Sequence, residues 1–165
     1  VVMGKTTINL DPAKLTLVKY RVDELSPLAM VKHTNYLPNI LARDDAIQAG
    51  FDDALLLNSQ GLIVETTVAN IFSITNKTIY TPPIIDGALP GVTRAIIIET
   101  CEKNKIELKE ESLNLNSLLE SDFCFISNSI TLCRPISQVE NRSYRANNEL
   151  YNEISLLVEK YYNST

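Results

Sequence analysis

Four short apolar runs lie between Asp53 and Tyr80, separated by polar turns such as Asn58-Ser59-Gln60-Gly61 and Thr75-Asn76-Lys77. Turns this short cannot hold the crossover of a dozen or more residues that a parallel pair needs, so neighbouring runs must pair as hairpins. The spacing predicts strands over 53–57, 62–65, 70–74 and 78–80. Upstream, the β-branched segment 15–20 predicts another strand. A helix is expected over 35–50, with Leu37, Ile40, Leu41, Ala42 and Ile47 at helical spacing, Pro38 in the first turn and Gly50 closing it. The opening Val1-Val2-Met3 reads as the end of a strand or a linker.

Past Gly91 the pattern predicts a helix over 93–104, with Ala95, Ile96, Ile97 and Ile98 as one heavily buried turn. A strand over 106–110, a short helix over 113–119 and strands over 122–127 and 133–139 follow. An amphipathic helix over 147–162 closes the chain, with Leu150, Ile154, Leu157, Val158 and Tyr161 on one side. Strands and helices mix without a regular βαβ repeat. The expected class is α/β in the α+β sense: a barrel-like, mixed and largely antiparallel sheet with helices packed outside. At 165 residues the chain suits one domain, 1–165, long enough to bury roughly 70% of its unfolded surface.

Composition narrows the function classes. A net charge of −5 with no compensating basic face argues against nucleic acid as a partner. No apolar run reaches the ~18–20 residues that span a bilayer and no signal peptide opens the chain, so no membrane partner and a cytoplasmic location are expected. The Asn-x-Ser/Thr triplets at Asn76, Asn141 and Asn163 then read as chance. Cys101, Cys124 and Cys133 are odd in number and lack C-x-x-C spacing, which favours buried thiols over disulfides or metal ligands. His33 is the only histidine, which disfavours a histidine-rich metal site or a Ser-His-Asp triad.

Four places carry candidate chemistry. Lys32 precedes a predicted helix, where the positive helix end and a dry core edge would disfavour its ammonium form and free the amine as a nucleophile. The plain alternative is a surface lysine. Glu65 ends the apolar run Leu62-Ile63-Val64; a carboxylate there is costly unless a cation or strong donor meets it, and a pyridinium N–H is one such donor. The plain alternative is an outward-facing strand glutamate. Gly91-Val92-Thr93-Arg94 joins a turn to a helix start, offering unpaired N–H groups and a hydroxyl to an anion, or simply a threonine cap. Ser127-Asn128-Ser129 could add a hydroxyl to the same phosphate, or be an ordinary polar turn. Together these are the parts of a site for pyridoxal phosphate.

In this order the motifs resemble the fold-type-IV pyridoxal-phosphate enzymes, which include branched-chain and D-amino-acid aminotransferases and 4-amino-4-deoxychorismate lyases. The resemblance covers about 15–139. Lys32-His33-Thr34-Asn35-Tyr36 is similar to the family's cofactor-lysine segment, and Glu65 to Phe72 to the segment whose glutamate binds the pyridine nitrogen. Leu89-Pro90-Gly91-Val92-Thr93-Arg94 resembles the phosphate segment. That resemblance implies catalysis and covalent attachment at Lys32, a ring-hydroxyl contact from Tyr36, ring packing by Leu89, and phosphate binding by Val92, Thr93, Asn128 and Ser129. The Ser127-Asn128-Ser129-Ile130 segment followed by Arg134-Pro135-Ile136 looks most like the lyases, although Leu132-Cys133-Arg134 departs from their glycine-containing loop.

The resemblance implies a lyase that converts 4-amino-4-deoxychorismate to 4-aminobenzoate and pyruvate in folate synthesis, without a metal. An aminotransferase on the same fold and a non-catalytic isolated domain are the alternatives. It also implies a small-molecule amine substrate, a homodimer, and an N-terminal domain that this chain lacks. That domain would bring an arginine to the phosphate, so the chain by itself is expected to be inactive.

Overall fold

The computed structural model describes residues 10–145 and 147–164; the expected strand end at Val1-Val2-Met3 lies outside them. The strands are β1 (Ala13–Val22), β2 (Asp53–Asn58), β3 (Ile63–Thr66), β4 (Asn70–Thr75), β5 (Thr78–Thr81), β6 (Leu108–Glu110), β7 (Phe123–Asn128), β8 (Leu132–Val139) and β9 (Arg142–Ser143). The helices are α1 (Leu37–Gln48), α2 (Val92–Lys103), α3 (Leu115–Glu120) and α4 (Glu149–Ser164), with a 3-10 turn at Ile84–Asp86.

Six strands close on themselves in the order β3-β2-β1-β8-β7-β4, and the Glu65–Asn70 bridge between β3 and β4 seals the ring. Strands β5 and β6 extend from β4, and β9 forms a hairpin on β8. The expected barrel of mixed, largely antiparallel strands surrounded by helices is what the chain forms. Hairpin spacing did not indicate that β1 runs parallel to both its neighbours, β2 and β8. The segment between β1 and β2, including α1, is long enough for the crossover that such a pair requires.

The barrel interior is filled by Leu15, Leu55, Leu57, Ile63, Ile71, Ile126 and Ile136, among others. Outside it, Phe72, Phe123 and Phe125 pack against Ile96 and Ile97 of α2 and Ile154 and Val158 of α4. Phe72 and Phe125 stack with centroids 4.8 Å apart. Strand β2 is buried along its whole length because α1 covers its outer face, where Ala54 and Leu56 meet Ala42 and Ala46. A strand covered on both faces shows no polar alternation.

The helix faces correct several sequence expectations. Leu37, Ile40, Leu41 and Ile47 are exposed; of the expected positions only Ala42 is buried, joined by Ala46. Small side chains let the helix lie close on β1 and β2, and the larger apolar side is left outward. Of the four residues expected to form a buried turn in α2, Ile96 and Ile97 are buried, Ala95 is exposed and Ile98 is half-buried. In α4 it is Tyr162 that turns inward while Tyr161 stays exposed. The three cysteines are free and buried, and burial pushes each thiol up to about 12. Among the described residues no helix is long and apolar enough to cross a membrane.

Arg94 ties α2 to the sheet extension. Its guanidinium donates to the Pro82 carbonyl at 2.9 Å and to Glu110 at 2.5 Å, and its own side chain is almost fully buried. Glu110→Ala would leave that charge with one neutral acceptor. Breaking a buried pair costs about 3–5 kcal/mol, and the half-exposed Glu110 places this case at the lower end. A urea titration should show the midpoint fall; an unchanged midpoint would mean that water already screens the pair.

Candidate active site

An open cleft of about 260 Å³ lies between the loop after β1, the start of α1 and the barrel strands. Lys32, Tyr36, Glu65 and Leu89 all line it, so four side chains spread over 58 positions of sequence meet in one place. His33 and Asn39 stand in the same wall.

Lys32 reaches the cleft from the loop before α1. It is exposed rather than set at a dry core edge, so burial does not single it out as the sequence suggested. Its position comes from Tyr36, the residue that enters α1. Lys32 Nζ donates to Tyr36 Oη at 2.7 Å and lies 4.6 Å from the ring centroid. A phenol beside an amine holds a flexible four-carbon stem in one direction and can exchange a proton with it.

Glu65 stands on β3 opposite Leu56 of β2 and Asn70 of β4. Its Oε2 accepts from the Leu89 backbone N–H at 3.2 Å and from Asn70 Nδ2 at 3.4 Å. Among the described residues no donor reaches Oε1. Burial raises its pKa to about 7, opposed by the Leu89 N–H and by the positive charge of Lys32. A carboxyl in that state takes a cationic N–H donor readily, because the donor supplies the compensation that burial removed.

The shift has a sign that can be tested. A raised folded-state pKa means Glu65 contributes stability that is fully present below its ordinary value of 4.5 and lost as pH rises through about 7. Comparing thermal unfolding of the cofactor-free protein with that of Glu65→Gln between pH 5 and 8 isolates this term. The difference should move against the native chain as pH rises; a constant difference would mean that the carboxyl titrates as in water.

Leu89-Pro90-Gly91 links this cleft to the start of α2. Asn70 Nδ2 also donates to the Leu89 carbonyl at 2.9 Å, so one carboxamide holds both the acid and the linking segment. A Cβ on Gly91 would sit 2.2 Å from Asn70 Oδ1, which explains the glycine. Gly87, also in the cleft wall, has φ of +103° and would press a Cβ on Val22 and Glu24.

At the head of α2 no side chain caps the first turn. Val92 is exposed; Thr93 is buried, with its Oγ1 2.9 Å from Tyr162 Oη. Strand β7 arrives beside it, with Ser127 in register with Asn70. Ser127 is buried and its Oγ has no hydrogen-bond partner. The Asn128 oxygen is committed to its own turn, accepting from the N–H groups of Ile130 and Thr131 at 2.9 and 2.8 Å, while Ser129 is exposed.

Val92, Thr93, Asn128 and Ser129 are thus not walls of the cleft. They lie at the α2 start and the β7 end, which Asn70 and the Leu89–Gly91 link join to Glu65. Sequence reasoning named Ser127 only within the Ser127-Asn128-Ser129 segment, chose Ser129 for the phosphate, and overlooked Asn70 and Tyr162 as individual residues. Asn70 and Ser127 carried a faint signal, each a polar residue at the end of an apolar strand. Tyr162 carried none, because Tyr161 fits the same helical spacing.

The sequence model of the family described as amino-transferase class IV matches residues 3–139. A Methanocaldococcus jannaschii protein provisionally named a branched-chain-amino-acid aminotransferase is 38% identical over 134 residues, 81% of this chain and 45% of the relative. The branched-chain-amino-acid aminotransferase of Salmonella typhimurium is 32% identical over 69% of this chain and 37% of the relative. Among solved structures, a Legionella pneumophila protein provisionally named 4-amino-4-deoxychorismate lyase matches with a TM-score of 0.92 and 34% identity, over 95% of this chain and 59% of its own. The Thermoproteus uzoniensis branched-chain aminotransferase, solved with norvaline, gives 0.87 and 28%, over 93% and 52%. The chain spans less than half the length of the curated relatives it matches.

Proposed function

We propose that this chain, which belongs to the amino-transferase class IV family, is the cofactor-holding part of a 4-amino-4-deoxychorismate lyase. The family uses pyridoxal 5'-phosphate. The residues present fit that group: an acid with one open oxygen, a lysine and tyrosine across the same cleft, and at the far end an uncapped helix start with a buried, unpartnered serine hydroxyl. The convergence of Lys32, Tyr36, Glu65 and Leu89 on one cleft carries the reading.

The chemistry supplied by pyridoxal 5'-phosphate when bound is an aldehyde that attaches amines and a ring that accepts electrons. Lys32 would provide the attachment amine and, as a free amine, the base for the proton on the substrate's amine-bearing carbon. Tyr36 keeps Lys32 Nζ in range of that carbon. Glu65 would hold the ring nitrogen and keep it protonated, and Leu89 would pack on the ring. The Val92 and Thr93 N–H groups and the Thr93 hydroxyl bind the phosphate, with Ser129 and the Asn128 turn beside them.

The likeness to the Legionella protein over nearly the whole chain supports the lyase reading. An aminotransferase is the second reading, favoured by the names of the curated relatives. Incubating the full-length protein with 4-amino-4-deoxychorismate separates them. The lyase releases 4-aminobenzoate and pyruvate with no 2-oxo acid added; activity that appears only with a 2-oxo acid acceptor selects the aminotransferase.

We further propose that the complete protein carries a second domain and acts as a homodimer. The greater length of its relatives and the outward apolar side of α1 support this. Without that domain the cleft stays open to water, and this chain alone should bind cofactor weakly and not turn over. Gly91→Ala tests the link inside the site. Its Cβ must displace Asn70, which loosens Leu89 and Glu65 together, and the loss of two hydrogen bonds predicts about ten- to a hundredfold weaker cofactor binding. Wild-type affinity in that variant would show that Asn70 has room to move.

A further inference from the structure

We infer that Tyr162, on the closing helix and beyond the region the family model matches, is a positioning residue that directs the Thr93 hydroxyl hydrogen towards a bound phosphate. The inference rests on the proposed cofactor site and adds a residue to its anion end. Thr93 Oγ1 and Tyr162 Oη are 2.9 Å apart, and either can donate. Each hydroxyl has one hydrogen and two acceptor lone pairs. A phosphate oxygen at the α2 start can only accept. It therefore takes the single Thr93 hydrogen, and Tyr162 becomes the donor to Thr93 Oγ1. Two such bonds in series polarise and strengthen each other.

The surroundings point the same way. Thr93 is 2% exposed, so bulk water does not readily replace the phenol. Tyr162 packs against the cluster that includes Phe72, Ile97 and Val158, and meets the Tyr161 ring edge-on at 6.2 Å. The hydroxyl is thus aimed by a ring with little freedom. Ser127 supplies an independent observation: a 1% exposed hydroxyl with no partner, in register with the Asn70 that touches Gly91. The α2 start therefore gathers uncapped N–H groups and hydroxyls, and among the described residues no carboxylate hydrogen-bonds them, which is what an anion requires.

A tyrosine that merely pins α4 to α2 would also stabilise the fold, so the test has to isolate the hydroxyl and the phosphate. Cofactor dissociation constants are measured by absorbance titration for full-length wild type, Tyr162→Phe, Thr93→Val and the double variant, with phosphate-free pyridoxal as a second probe. The bound phosphate is followed by its phosphorus-31 resonance. Tyr162→Phe should weaken pyridoxal 5'-phosphate about three- to tenfold, the worth of one hydrogen bond, and shift the phosphorus resonance. It should leave pyridoxal affinity unchanged and add nothing in the Thr93→Val background. Equal weakening in both backgrounds, equal weakening for both probes, or wild-type affinity overturns the inference. A wild-type protein that takes up no cofactor overturns the site reading and this inference with it.

Discussion

Lys32→Ala is expected to abolish turnover of the full-length protein. On the proposed roles the substitution removes the attachment amine and the base in one step, and positioned proton transfer alone is worth about 10²–10⁴-fold. The cleft should otherwise persist, because Lys32 is exposed and its neighbour Tyr36 is held at the start of α1. Borohydride treatment of the cofactor-loaded wild type, followed by peptide mapping, should place the reduced label on Lys32. A label on Lys5 or Lys19 would assign the chemistry elsewhere. Tyr36→Phe should do less harm, since it removes only the 2.7 Å contact that aims the amine.

Glu65→Gln should retain the fold and lose most of the activity. The amide can still accept from the Leu89 N–H and Asn70, but it cannot offer a charge to a protonated ring nitrogen. The charge-assisted bond is worth about 1.5–3 kcal/mol, so cofactor affinity should fall by roughly ten- to a hundredfold. Turnover should fall further, because a ring that loses its proton no longer draws charge from the reacting carbon. Unchanged turnover would return Glu65 to the status of a strand residue that happens to face a cleft.

The candidate site was legible in the sequence to the extent that its parts are contiguous. Lys32 with Tyr36, Glu65 with the strand after it, and Leu89 through Arg94 could be picked out because each motif sits within one loop or one strand–turn unit. Asn70 was read only as a position in a pattern. That its single carboxamide serves both Glu65 and Leu89 depends on residues 5 and 19 positions away meeting at the β3–β4 seam. Arg94 stood in the anion-binding segment, yet its guanidinium turns to Pro82 and Glu110 and anchors the sheet instead.

By itself the sequence determined the alternation of strands and helices, because periods of two and 3.6 residues are local properties of the chain. It also determined the chemical types available at each motif. Tertiary structure decided what each face meets. It closed the barrel at the Glu65–Asn70 bridge, ran β1 parallel to two partners, and turned the alanines of α1 inward in place of its leucines and isoleucines. It also chose Tyr162 over Tyr161 for the buried side of α4. The reason is the same in each case: a periodic pattern offers several apolar faces, and only the shape and size of the opposing surface select among them.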